Sequence, residues 1–164
     1  MYKNLRPNLI YETVYDIDFD LLYGDGIRHL FFDVDNTLIT YGQDGVSLQC
    51  INLFNSMRSI GFESITLVSN SSNFERIQKV AQQLNLPGIY FACKPFVFTM
   101  RRVMNDANIA PDTVAFVGDQ LFTDIVMANL LNLKSVFVEP LDATNVSFLR
   151  SFQYKVQQAI LNQF

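Results

Sequence analysis

Hydrophobic and polar positions follow two alternating rhythms along most of this chain. Short, nearly unbroken apolar runs occur at Arg28–Asp33, Ser64–Ser69, Gly88–Ala92, Thr113–Gly118 and Lys134–Val138, rich in Phe, Val and Ile. Continuous hydrophobicity over so few residues is what strands covered on both faces require. Between these runs, Ser47–Ile60, Asn73–Asn85, Phe96–Asn108 and Leu121–Asn132 carry Ala, Leu, Met and Arg three or four residues apart, which is helix spacing. Gly61, Pro87-Gly88 and Pro111-Asp112 sit at the joints as breakers. The order predicts an α/β fold: a doubly wound, Rossmann-like domain with five parallel strands and helices on both faces.

Two segments lie outside the rhythm. Residues 1–26, with Pro7 and the acids Asp16, Asp18 and Asp20, read as a covering arm or short helix ahead of a core at 27–140. Asn145–Phe164 carries Leu149, Phe152, Val156 and Ile160 at helical spacing and reads as an amphipathic helix. Packing on the core is its simplest use, and a peripheral contact with a membrane or partner is the alternative. No repeat, low-complexity tract or linker divides the 164 residues, so one domain is expected.

Composition narrows the classes. With 49% hydrophobic residues the chain buries a sizeable core. A net charge of -4 gives no reason to expect a nucleic-acid partner, Arg101-Arg102 being a local exception. Cys50 and Cys93 are too few and too far apart for a metal motif or disulfide framework, and read as buried thiols in a reducing compartment. The first residues lack a signal-peptide layout, and no run approaches the roughly 18 apolar residues of a membrane span. A cytoplasmic protein is expected, with contact at the membrane periphery left open.

In an open parallel sheet, ligands bind beyond the carboxyl ends of the strands, and there the sequence is specific. The first predicted strand ends in Asp33-Val34-Asp35-Asn36-Thr37, the second in Ser69-Asn70-Ser71; the third is followed by Lys94-Pro95 and the fourth by Gly118-Asp119, with Asp124 five residues on. Asx-turns, helix caps or solvation would explain any one of these alone. Capping does not explain why unlike groups gather at one edge.

Like charges at such an edge need a reason. Two carboxylates about 4 Å apart repel by about 4 kcal/mol at an effective dielectric near 20, and Asp119 adds to this. A divalent cation removes the penalty, and an oxygen-only set with few carboxylates suits Mg²⁺, which keeps several waters and takes substrate phosphate as a ligand. Asp33 is then placed to attack phosphorus and Asp35 to move protons to the leaving group and from water. Ser69, Asn70 and Lys94 supply donors and positive charge to the phosphoryl oxygens.

DVDNTL, LVSNSS, Lys94-Pro95 and GDQLFTD, in this order, resemble the four motifs of the haloacid dehalogenase (HAD) superfamily of phosphatases. The resemblance implies that Asp33 is nucleophile and metal ligand, Asp35 the acid/base that offers its main-chain carbonyl to Mg²⁺, and Ser69 and Lys94 the phosphate-binding pair. It makes Asp119 a metal ligand and puts Asp124 in an outer position, accepting from a metal-bound water. GIRHLFFDVDNTL and GDQLFTDIVMAN extend the likeness to the YqeG-type branch, subclass III A, over most of the chain. That branch is related to the mitochondrial phosphatidylglycerophosphate phosphatases, which implies a phosphorylated substrate, a lipid monoester or macromolecule among the classes. Val34 and the serines of LVSNSS depart from the residues relatives often carry, without removing a catalytic group.

The spacing leaves no place for an inserted cap domain. Thr40–Gly45 has the glycines of a flap beside Asp33, where Tyr41 or Gln43 can meet a leaving group; a plain turn explains it equally. His29 lies at the wrong end of its strand for the reaction, and Arg101 and Arg102 read as a solvated helix face. A receiver module also uses Asp pairs and Lys-Pro on a parallel sheet, but has no counterpart of GDQLFTD. Two other readings stay open: a superfamily scaffold used for binding or assembly, and a phosphatase of small sugar phosphates or nucleotides.

Overall fold

The computed structural model describes residues 3–144 and 147–164. It contains one parallel sheet of six strands: β1 (Leu9–Tyr11), β2 (His29–Phe32), β3 (Ser64–Val68), β4 (Gly88–Ile89), β5 (Val114–Gly118) and β6 (Lys134–Val138), in the order β1-β6-β5-β2-β3-β4. β2 is central, with Leu30 opposite Ile65 of β3 and Ala115 of β5. The chain runs from β2 to β3 and β4 on one side, then crosses to β5 and β6 on the other. The order therefore reverses between β2 and β5, and reversal opens a crevice at the carboxyl ends of those strands.

Among the described residues six α-helices, α1 (Phe19–Gly24), α2 (Leu48–Ile60), α3 (Phe74–Leu84), α4 (Phe98–Asp106), α5 (Val126–Leu130) and α6 (Phe148–Leu161), flank the sheet. Alternate strand residues face opposite ways, and β2 shows the consequence. Leu30 and Phe32 enter a core with Phe54, Met57, Ile77 and Val80 from α2 and α3. Phe31 enters a second core with Met100, Met104 and Met127 from α4 and α5. Both faces are dry, which is why HLFF has no polar alternation.

Three expectations need correction. The sheet has six strands rather than five, because the first segment supplies β1, a parallel edge strand beside β6. Three residues carry too little periodicity to be seen. Polar contacts hold the strand instead: the Asn8 N–H donates to Ser135 O at 3.0 Å, and Asn8 Oδ1 accepts from the Ser135 N–H at 2.8 Å. Val14, Ile17, Phe19 and Leu22 of the same segment are buried core residues. Second, the span 121–132 is not one helix. Leu121–Ile125 is a π-helical turn, with the Ile125 N–H reaching Gln120 O at 3.2 Å, before α5 begins. Third, Cys50 is buried but Cys93 is exposed, in a backbone with φ of 59° that turns its thiol out of the core.

α6 forms within the expected span, and its apolar periodicity defines its buried side only toward the C-terminal end, where Ile160 packs with Leu161 against Leu121, Ile125 and Phe137. Tyr154 and Gln157 face inward, whereas Leu149 and Phe152 are exposed. The surface it covers is the polar edge of the crevice, and that surface needs hydrogen-bonding partners rather than apolar cover. No described helix is long and apolar enough to cross a membrane.

Candidate active site

Asp33 is the first residue beyond β2, held there by its N–H donating to Val117 O at 2.9 Å. The chain then turns sharply: Asn36 takes a left-handed φ of 62°, and the Leu38 N–H closes onto Val34 O at 3.0 Å. Asn tolerates this region better than most residues. The turn also brings Thr37 Oγ1 to donate to Asp33 Oδ2 at 3.2 Å.

Lys94 arrives from the opposite side. β4 stops at Ile89, and the left-handed residues Phe91 and Cys93 curl the chain back toward the crevice. The Asn70 side chain grips Lys94 at both backbone ends, accepting from its N–H and donating to its carbonyl, each at 2.9 Å. The Lys94-Pro95 bond is cis. The lysine ammonium is buried; it donates to Asp33 Oδ1 and to Val68 O at 3.1 Å, and pairs with Asp124 Oδ1 at 2.7 Å.

The third contribution comes from β5. Asp119 follows the strand directly, and the π-helical turn doubles Asp124 back beneath Gly118, where Asp124 Oδ2 accepts from the Gln120 N–H at 3.1 Å. Carboxylate oxygens of Asp33, Asp119 and Asp124 all lie within 4.8 Å of one another. Burial pushes Asp33 up to about 7 despite the neighbouring lysine, and pushes Asp119 well above the ordinary range, with Asp33 and Asp124 adding repulsion. The same burial acts against the Lys94 charge, but Asp124 and Asp33 outweigh it and hold the lysine above its ordinary value.

One ammonium faces three carboxylates, and Asp119 Oδ1 is buried without a hydrogen bond among the described residues. A hard divalent cation fits both observations: the donors are all oxygen, they converge, and one of them has no partner.

Asp35 points away from this trio. Its Oδ1 accepts from Arg76 Nη1, while Arg76 Nε and Nη2 donate to Gln43 O at 2.6 Å and Thr40 O at 2.8 Å. Arg76 thus ties the 40–43 segment to Asp35. The two acids of DVDNTL are neutralised separately, Asp33 by Lys94 and Asp35 by Arg76. A basic residue in the first turn of α3 was the available sign, since the helix dipole disfavours a cation there unless an acid meets it.

These groups line a cavity of about 430 Å³, with Asp33, Asp35, Lys94 and Arg76 inside and Tyr41, Gln120 and Arg150 around them. The Arg150 guanidinium lies 4.1 Å from the Tyr41 ring centroid, joining α6 to the 40–45 segment. Ser69 is buried, its Oγ accepting from the Ser71 N–H at 2.9 Å; Asn70, Ser71, Ser72 and Asn73 form that wall at the start of α3. His29 is at the far end of β2, bonded through Nδ1 to Ser64 Oγ at 2.8 Å. Arg101 and Arg102 are exposed.

Sequence reasoning missed the supports of Asp119. The Tyr154 hydroxyl donates to Asp119 Oδ2 at 3.0 Å and accepts from Asn36 Nδ2 at 2.9 Å. Gln157 Nε2 donates to Asp119 O at 2.7 Å, while its Oε1 accepts from the Leu121 N–H at 2.7 Å. Tyr154 and Gln157 stand three apart in α6, but other polar pairs of the helix share that spacing, so the sequence does not single them out. Tyr154→Phe removes the carboxylate's hydrogen bond while keeping the ring, so a divalent cation should bind about 10–100-fold more weakly, as loss of such outer supports does elsewhere. Isothermal titration with Mg²⁺ reads the change, and unaltered affinity would show that Asp119 needs no help from α6.

The chain is similar to known proteins over most of its length. The chain is 26% identical to the probable phosphatase YqeG of Bacillus subtilis, over 98% of its own length and 91% of the relative's. It is 25% identical to the mitochondrial phosphatidylglycerophosphatase GEP4 of Saccharomyces cerevisiae, over 92% of this chain and 86% of that one. Among solved structures, an uncharacterized protein from Listeria monocytogenes serotype 4b superposes with a TM-score of 0.59 at 14% identity, covering 84% of this chain and all of the other. A hypothetical protein from Xanthomonas campestris gives 0.54 at 18% identity, covering 77% of this chain and 71% of its own. These two show the fold alone. The model of the family described as mitochondrial PGP phosphatase matches residues 2–140, and with that match spanning the sheet and every acid of the crevice, the chain belongs to this family of HAD-type phosphatases.

Proposed function

We propose that the protein hydrolyses phosphate monoesters with Mg²⁺ through an aspartyl-phosphate on Asp33, and that its substrate is a lipid phosphate of the phosphatidylglycerophosphate type. The whole chain, 1–164, acts as one catalytic unit in the cytoplasm. The observation that carries the reading is the convergence of three buried carboxylates and one buried lysine at the β2/β5 switch point, with Asp33 open to the cavity.

Asp33 Oδ attacks phosphorus, the bond to the leaving oxygen breaks, and Asp35, entering the step with a proton on the oxygen that Arg76 does not hold, gives that proton to the leaving oxygen. Asp35 then takes a proton from water, whose oxygen attacks the phosphorus of the aspartyl ester, releasing phosphate and restoring Asp33. Lys94 holds positive charge beside the phosphoryl oxygens, and Ser69, Asn70 and the N–H groups opening α3 bind them. Mg²⁺, held by Asp33, Asp119 and the Asp35 carbonyl with Asp124 beside them, would shield the attacking carboxylate from the incoming anion. Arg76 keeps Asp35 aimed and lets the 40–43 segment respond to the leaving group. The lipid assignment draws on the named activity of the yeast relative and on a cavity that no inserted domain covers among the described residues. Phosphate release from phosphatidylglycerophosphate in mixed micelles, compared with sugar phosphates and nucleotides, tests it. Lipid turnover should exceed the others, and a sugar phosphate preferred by orders of magnitude would refute the assignment.

Metal binding should carry a pH signature. In the metal-free protein Asp33 sits at about 7 against an ordinary 3.8, so its contribution to stability is present at low pH and is lost as pH rises between those values. A cation binds the ionised carboxylates and displaces the proton. The rise in melting temperature on adding Mg²⁺ should therefore be larger at about pH 8 than at about pH 6, with protons released into the buffer on binding. Equal rises at both would mean that Asp33 is not a ligand.

A further inference from the structure

We propose that the mouth of this site docks on an anionic lipid bilayer through two apolar patches, Phe96 and Phe98 on one side and Phe148, Leu149 and Phe152 on the other. The inference rests on the phosphatase reading only for its purpose, since it concerns a surface beside the catalytic groups.

Exposure is the first observation. Phe148 is 85% exposed, Leu149 76%, Phe96 66%, Phe98 63% and Phe152 62%. Single exposed apolar residues are ordinary on a protein surface; these five stand close along the chain to residues that line the cavity. Phe96 lies two residues beyond Lys94, and Phe98 opens α4. Phe148 and Leu149 directly precede Arg150, which lines the same cavity as Lys94 and packs on Tyr41. Each patch thus adjoins along the chain a residue lining the same cavity, Lys94 for the first and Arg150 for the second.

Charge is the second observation, and it selects the partner. The chain carries a net -4, yet residues 76–105 and 143–164 hold seven of its 12 Lys and Arg residues and none of its 16 Asp and Glu residues. Arg76 and Lys94 are used inside the site, Lys79 pairs with Asp44 and Arg102 with Asp106. Arg101, Arg150 and Lys155 are exposed and have no carboxylate within ion-pairing distance among the described residues. Apolar side chains rimmed by cations match an anionic bilayer, where the rings enter the acyl boundary and the cations meet lipid phosphates. A second copy on the same face would set Arg150 and Lys155 against like charges. With no described helix able to span, contact is from the surface.

Flotation of the full chain with vesicles tests the proposal, using phosphatidylcholine alone against phosphatidylcholine mixed with phosphatidylglycerol. Neither vesicle contains a phosphate monoester, so docking is read apart from catalysis. The protein should float with the mixed vesicles and much less with phosphatidylcholine. Phe148→Ser/Leu149→Ser/Phe152→Ser and, separately, Phe96→Ser/Phe98→Ser should each cut bound protein about tenfold or more, while turnover of a soluble aryl phosphate stays at the parent level. Binding that ignores lipid charge, survives both variants, or is absent from the parent overturns the docking face. A concentration-dependent dimer abolished by the same substitutions would assign the patch to a second copy instead. Failure of aryl phosphate turnover with docking intact would remove the phosphatase mechanism and leave the surface standing.

Discussion

Asp33→Asn is expected to abolish turnover while raising the melting temperature of the metal-free protein. If Asp33 is the nucleophile, as proposed, its loss leaves only binding and electrostatic assistance, so phosphate release should fall by about 10⁴-fold or more. Stability should move the other way because the site is strained by charge. Burial and the neighbouring Asp124 and Asp35 already push the Asp33 carboxyl up to about 7, and a neutral amide of the same shape removes one member of a crowded trio. Lys94 keeps a partner, since Asp124 Oδ1 lies 2.7 Å from its ammonium, so the substitution does not strand a buried cation. The gain should be larger above about pH 7, where the native carboxylate is ionised, and Mg²⁺ should reverse the ranking by stabilising only the parent. Steady-state turnover of an aryl phosphate and thermal melts with and without Mg²⁺ measure the two effects. Turnover retained in the variant would remove Asp33 from the chemistry; a melting temperature that falls without metal would show that the trio is not under charge strain.

The strand-end groups were legible in the sequence for a topological reason. A parallel sheet sends every strand the same way, so residues just past each apolar run share one edge whatever the strand order. Asp33, Lys94, Asp119 and Asp124 needed no further information to be placed together. What that rule does not carry is side-chain direction. Asp33 and Asp35, two residues apart, invited the idea of a shared ion, yet the left-handed Asn36 and the Arg76 guanidinium send Asp35 to its own cation. Arg76 and Tyr154 act across 41 and 35 residues of sequence, on Asp35 and Asp119 respectively. No periodicity links such positions. The β1 strand and the polar inward side of α6 were hidden for a related reason: hydrophobic pattern reports burial against apolar cover, whereas the contacts through Asn8, Ser135, Tyr154 and Gln157 are hydrogen bonds.

Gly118→Ala offers the sharpest test of how the third carboxylate is placed, because the glycine is required here for space. A Cβ at this position would stand 2.5 Å from Asp124 Cγ and Oδ2 and 2.6 Å from its Cβ. Those atoms belong to a side chain fixed at both ends, by Lys94 on Oδ1 and by the Gln120 N–H on Oδ2. Relief means either moving the π-helical turn or rotating Asp124 away from Lys94. Overpacking alone costs about 1–3 kcal/mol, and loosening one partner of a buried ion pair adds to it, up to about 3–5 kcal/mol for a pair fully broken. A displacement of about 1 Å at a catalytic centre is enough to cost about 10²-fold in rate. The variant should therefore lose at least that much turnover, melt well below the parent, and bind Mg²⁺ more weakly. Gly118→Ala/Asp124→Gly separates the causes: deleting the opposing side chain makes room for the methyl, so the steric part of the instability should disappear while turnover stays low. If the double variant recovered activity, Asp124 would be a bystander that merely fills the space beneath Gly118. If the single variant behaved like the parent, the close approach of the strand end to the turn would not be needed for the site.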